Sequence, residues 1–172
     1  MNKQTKPEVW MRGSIEGIPA LLQPVAHAIL QMQEELTLYV QDFPEELLWQ
    51  KVAGLASVGF HIQHITGVLD RMCTYARQEG LSEHQLAFLK AEGEVNINIK
   101  IADLIENLNM QVQRMLVQLK HTTVDSLTEI RGIGRQHIPT THLGLLFHAA
   151  EHAQRHLGQL LVTSQVLLHK KN

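Results

Sequence analysis

The sequence predicts an all-α fold, a four-helix bundle with a crossover connection and one short extra helix. Three observations carry this. Apolar residues recur at helical spacing in four long stretches, near residues 18–41, 57–79, 97–120 and 140–168. Only residues 95–101 alternate like a strand, and the helical pattern beyond them overrides that reading. The connections between stretches are too long for a minimal bundle with tight turns, so at least one must cross over.

In the first stretch, Pro19 and Pro24 are tolerable only in or near a first turn, so the regular helix starts around Pro24. Val25, Ile29, Met32, Leu36 and Val40 mark its inner face. It must end before Pro44, which pushes its predecessor out of the helical region. Pro44 to Trp49 reads as a short turn of helix. Residues 1–13 are polar, and the N-terminal segment 1–17 is expected to be mobile.

Ser57 is the predicted N-cap of the second helix, whose apolar positions are Val58, Ile65, Val68, Leu69, Met72 and Tyr75. Gly80 is its predicted stop, since glycine takes the left-handed conformation freely. Ser82 then caps a short helix. Ile101, Leu104, Ile105, Leu108, Val112, Met115, Leu116 and Leu119 share one face of the third long helix, taken as 97–120. From His121 to Pro139 the chain reads as an irregular connection broken by Gly132 and Gly134. Thr140 or Thr141 caps the fourth long helix, which runs to about His169.

The 172 residues suit one domain spanning 1–172, large enough for a core without staples. A net charge of −2 with no basic stripe points away from nucleic acid. Cys73 is the only cysteine, which excludes an intramolecular disulfide and a zinc site built from several cysteines. The N-terminus lacks the apolar core of a signal peptide, and no apolar run is long enough to cross a bilayer. A cytoplasmic protein is the resulting expectation.

Histidine is the unusual residue, with eleven in the chain. His27, His84, His121, His137, His142 and His169 are scattered and read as surface or packing residues. Three others, His148, His152 and His156, follow one another at four-residue intervals on the last helix. Leu145, Ala149, Leu160 and Leu167 mark the stripe of that helix that faces the core. His156 falls inside the stripe, His152 at its edge and His148 further out. Two imidazoles one turn apart, aimed into a helical core, can share one metal ion. The competing reading is of core histidines whose ring N–H groups have found carbonyls. A third ligand on another helix would favour the metal, and the second helix offers His61 and His64. Periodicity puts His61 nearer the middle of the apolar face and His64 about 60° further round, which favours His61.

The pattern F-H-I-Q-H-I-T-G-V-L-D-R-M on the second helix, with L-L-F-H-A-A-E-H-A-Q-R-H-L-G-Q on the fourth, resembles the DinB/YfiT-like superfamily over about residues 18–168. Its most specific part is the H-x-x-x-H-x-G-Q ending, here His152, His156, Gly158 and Gln159. The resemblance implies a four-helix bundle holding a divalent metal, most often nickel or zinc and sometimes iron, on three histidines. Carried over residue by residue, the ligands are His64, His152 and His156, and the assignment on the second helix differs from the one periodicity favours. His61, His148 and Gln159 become pocket-lining residues. The resemblance further implies a homodimer and metal-assisted chemistry on a small-molecule substrate, with a low-molecular-weight thiol as co-substrate in the manner of thiol S-transferases. A metal-dependent hydrolase and a non-catalytic metal-binding stress-response bundle are the alternatives. Three neutral imidazoles suit several transition metals and leave a coordination position open. No acceptor for the far ring nitrogens is legible. Asp70 is nearly two turns from His64, and Glu151 points around the helix from His152.

Overall fold

The computed structural model describes the backbone of residues 6–171 and the side chains of residues 6–169. In chain order the elements are α1 (Gln23–Val40), α2 (Val58–Ala76), α3 (Glu83–Ala91), α4 (Ile101–His121), β1 (Ile130–Ile133), β2 (Ile138–Thr141) and α5 (His142–Lys171). Short 3-10 turns lie at Val9–Arg12, Ala20–Leu22, Glu45–Leu47 and Val124–Thr128. The fold is the expected all-α bundle, and the turn at Glu45–Leu47 falls within the segment predicted for one.

The four long helices pack in a ring, α1 against α4, α4 against α2, α2 against α5 and α5 against α1. Cross-links fix their directions. Gln33 donates to Asn109, while Val40 lies beside Ile101, so α1 and α4 are antiparallel. Thr66 lies beside Asn107, and Gln118 donates to the Cys73 carbonyl, so α2 and α4 are parallel. His61 meets His156 and His64 meets His152, so α2 and α5 are antiparallel. A parallel step from α2 to α4 requires the chain to travel back along the bundle. Residues 77–100, carrying α3, make that crossover.

The core runs through the middle of the ring. Ile29, Met32, Leu36, Ile62, Ile65, Leu69, Leu108, Met115, Leu119 and Leu145 are fully buried. Each such side chain contributes roughly 1.5–3 kcal/mol of transfer free energy. Among the described residues no helix is long and apolar enough to cross a membrane.

Several boundaries differ from the sequence reading. Helix α2 stops at Ala76 rather than running to Gly80, because Gln78 takes the left-handed turn (φ 63°). The Glu79 N–H then reaches back to the Thr74 carbonyl, the six-to-one bond of a Schellman ending. Helix α4 begins at Ile101 rather than 97. The Asp103 carboxylate accepts from the Lys100 N–H, and Glu45, from a distant segment, accepts from the Ile101 N–H. The connection read as irregular contains a β-hairpin, pairing Ile130 with Thr141 and Ile133 with Ile138. Gly134 (φ 65°) and His137 (φ 47°) turn its tip, so a residue read as a breaker is the turn itself.

Residues 1–5 of the segment expected to be mobile lie outside the described residues. Residues 6–17 rest on α1. The Val9 N–H donates to Gln31, and the Arg12 guanidinium forks onto the Glu34 carboxylate. That ion pair is exposed at Glu34 and so contributes little stability.

Candidate metal centre

Two helix starts set the site. On α2, the Ser57 hydroxyl accepts the Phe60 N–H at 3.2 Å, capping the first turn. Gly59 leaves the space that the Trp49 ring fills. On α5, the Thr141 hydroxyl accepts the Gly144 N–H at 2.9 Å, so Thr141 is the capping threonine of the two considered. One turn into α2 come His61 and His64. Nearly two turns into α5 begins the series His148, His152 and His156.

These five rings form one cluster. The Nε2 atoms of His64 and His152 are 3.0 Å apart. The Nδ1 atoms of His61 and His156 are also 3.0 Å apart. Ring centroids are 4.4 Å apart for His64 and His156, 4.6 Å for His152 and His156, and 5.0 Å for His148 and His152. One nitrogen from each of His64, His152 and His156 falls in a set whose members all lie within 4.8 Å of one another. His61, nearer the middle of the apolar face of α2, is the more buried residue of its pair, at 3 % exposure. His61 nonetheless lies outside the convergent set, which takes its α2 member from His64.

Behind His64 stands a residue that no motif announced. Glu92, just after α3, accepts from His64 Nδ1 at 2.6 Å through Oε2 and from Arg71 Nη1 at 2.6 Å through Oε1. Its side chain is 4 % exposed. The one sequence signal was Gly67, a glycine in the middle of a helix. A Cβ there would strike the Glu92 and Arg71 ion pair and the Phe88 ring. Phe60 stacks on His64 at 5.1 Å between centroids, with planes 13° apart.

Burial controls the charge of the cluster. Loss of water pushes His61 and His152 down to about 4 and His156 to about 3. Coulombic repulsion within the cluster, from His64 first, adds to each of these shifts, and the Arg155 guanidinium adds to those of His152 and His156. These rings are therefore neutral at physiological pH, the form that binds a metal.

His148 takes a different role. Its Nδ1 lies 2.7 Å from Glu151, which also holds Arg155, so Glu151 points along the helix surface. His148, Glu151 and His152 form a second group compatible with a cation, sharing His152 with the first. Gln159 joins neither group. It lines a cavity of about 500 Å³ with His61, Arg155, Gly158, Leu55 and Val162.

The residues present fit a divalent metal. The donor set is three imidazoles from two helices, two of them held neutral by burial. His152 Nδ1 is a buried ring nitrogen with no hydrogen-bond partner among the described residues. The clusters are compatible with metal binding, and their soft-to-borderline nitrogen donors suit a transition metal rather than magnesium or calcium.

No curated protein matches the chain. The sequence model of the DinB superfamily matches residues 28–160, from the first turns of α1 to the α5 segment that carries the histidine series. Helical architecture, histidine cluster and sequence match agree, and the chain belongs to the DinB superfamily.

Proposed function

We propose that this protein is a divalent-metal-dependent enzyme whose ligands are His64, His152 and His156. The observation that carries the reading is the convergence of one nitrogen from each of these rings within 4.8 Å. Three protein ligands leave a position for substrate, as catalytic sites do. A nickel, zinc or iron ion held there supplies Lewis-acid chemistry, lowering the pKa of a thiol or water so that a nucleophile forms near neutral pH. The reaction we favour is transfer involving a low-molecular-weight thiol, and metal-assisted hydrolysis is the second choice.

The chain's own residues divide the remaining work. Phe60 covers one face of the His64 ring. The apolar walls Leu55 and Val162, with Arg155 and Gln159 as the polar groups, suit a small substrate with an apolar body and a polar end. His61 lines that cavity and also meets His156. A closed, purely structural site would need a fourth ligand from His61 or His148. Neither His61 nor His148 belongs to the set formed by His64, His152 and His156, which supports the open site. By the superfamily resemblance we propose a homodimer in the cytoplasm as well. Sedimentation as a monomer at micromolar concentration would count against the dimer.

Metal analysis of protein purified without a histidine tag tests the reading. One equivalent of a transition metal is expected, lost in His152→Ala and His156→Ala while helical circular dichroism is kept. Absence of stoichiometric metal after reconstitution with nickel, zinc or iron(II) would return these residues to packed core histidines.

A further inference from the structure

The crossover between α2 and α4 supplies one side chain to the cluster, and it does so deep inside the protein. Glu92 is anchored on three sides. Arg71 holds one carboxylate oxygen, His64 the other, and Gly67 provides the room. The following residue, Gly93 (φ 80°), packs against Phe60 and donates its N–H to the buried Gln63 at 2.8 Å. The turn that carries Glu92 is thus pinned to the same face of α2 that carries His64.

We propose that Glu92 is a positioning residue that sets the tautomer of His64 and thereby its capacity to bind metal. This rests on the three-histidine reading above. A carboxylate oxygen accepts hydrogen bonds and donates none. At 2.6 Å from it, His64 Nδ1 must carry the hydrogen. A neutral imidazole has a single ring hydrogen, so Nε2 is left with a bare lone pair. That lone pair faces His152 Nε2 at 3.0 Å, inside the cluster. Arg71 completes the arrangement by holding Glu92 in register, and Phe60 fixes the plane of the ring. An acceptor behind a ligating histidine raises its basicity and fixes its orientation.

Glu92→Gln separates this role from simple space filling, because the two side chains have nearly the same shape. The amide oxygen stays with the Arg71 guanidinium, which turns the NH2 group toward His64. His64 Nδ1 must then accept, and the ring hydrogen moves to Nε2, where it blocks metal binding. Long-range 1H–15N correlation spectra of metal-free, histidine-labelled full-length protein read the tautomer directly. The wild type should show His64 as the Nδ1–H form and Glu92→Gln as the Nε2–H form. Zinc titration of the same samples should show affinity reduced by about 10- to 100-fold in the variant. A wild-type spectrum with His64 as the Nε2–H form overturns the proposal, and needs no variant to fold. An unchanged tautomer in a folded variant overturns it too, as does an inverted tautomer with wild-type zinc affinity. A wild type that binds no zinc ends the reading of the cluster as a metal centre, while the metal-free spectra still decide what Glu92 does to His64.

Discussion

His64 Nε2 lies 3.0 Å from His152 Nε2, on two antiparallel helices, with the two histidines 88 residues apart in the sequence. Two ring nitrogens at that distance must share a proton or converge on a cation. Glu92 already occupies the other nitrogen of His64, and the other nitrogen of His152 is buried with no partner among the described residues. The pair is therefore arranged for something placed between the helices.

The five clustered histidines should not respond alike to replacement. His64→Ala should remove stoichiometric metal, whereas His61→Ala and His148→Ala should retain it, since neither belongs to the convergent set. Inductively coupled plasma mass spectrometry on reconstituted variants reads this. Loss of metal in His61→Ala with retention in His64→Ala would transfer the α2 ligand to His61.

Acid should destabilise the metal-free protein over a defined range. In the unfolded chain these imidazoles take up protons below a pKa of about 6.5. In the fold His61 and His152 resist protonation down to about 4 and His156 to about 3. Between those limits the unfolded state binds more protons, so stability is full above about 6.5 and is lost as pH falls through the window. Urea midpoints measured across that range, with metal chelated, should decline. A midpoint independent of pH would show that the three rings are not buried as described.

Gly67→Ala should destabilise the protein although alanine favours helix by about 1 kcal/mol over glycine. The new Cβ meets the Glu92 and Arg71 ion pair and the Phe88 ring. Overpacking of this kind costs about 1–3 kcal/mol, which exceeds the propensity gain over most of its range. Zinc affinity should fall along with the urea midpoint, because Glu92 must move. A stabilised variant with unchanged affinity would rule out the close approach.

Ser57→Ala removes the hydroxyl that accepts the Phe60 N–H at the start of α2. The expected loss is about 1 kcal/mol, within the usual range for an N-cap. Hydrogen exchange at the Phe60 amide should accelerate more than exchange deep in α4. Uniform acceleration across both helices would place the effect on global unfolding rather than on the cap.

The helices and the α5 half of the site were legible because both are local. Leu145, Ala149, Leu160 and Leu167 mark a buried stripe by spacing alone, and His152 and His156 are neighbours on any helix one turn apart. Ser57 and Ser82 announced their helix starts, and both side chains accept the capping N–H. On α2, periodicity found the buried histidine, His61, but could not say which ring faces the partner helix. The H-I-T-G motif pointed to His64, and the bundle brings His64 to His152 and His156. Other features exist only in the folded chain. Glu92 reaches His64 across 28 residues. Glu45 caps the α4 start across 56 residues. Strands β1 and β2 hide around glycines that read as breaks. Such contacts leave no trace in local spacing, because hydrogen bonds between distant segments depend on how the crossover packs. Periodicity records only which face of each helix avoids water.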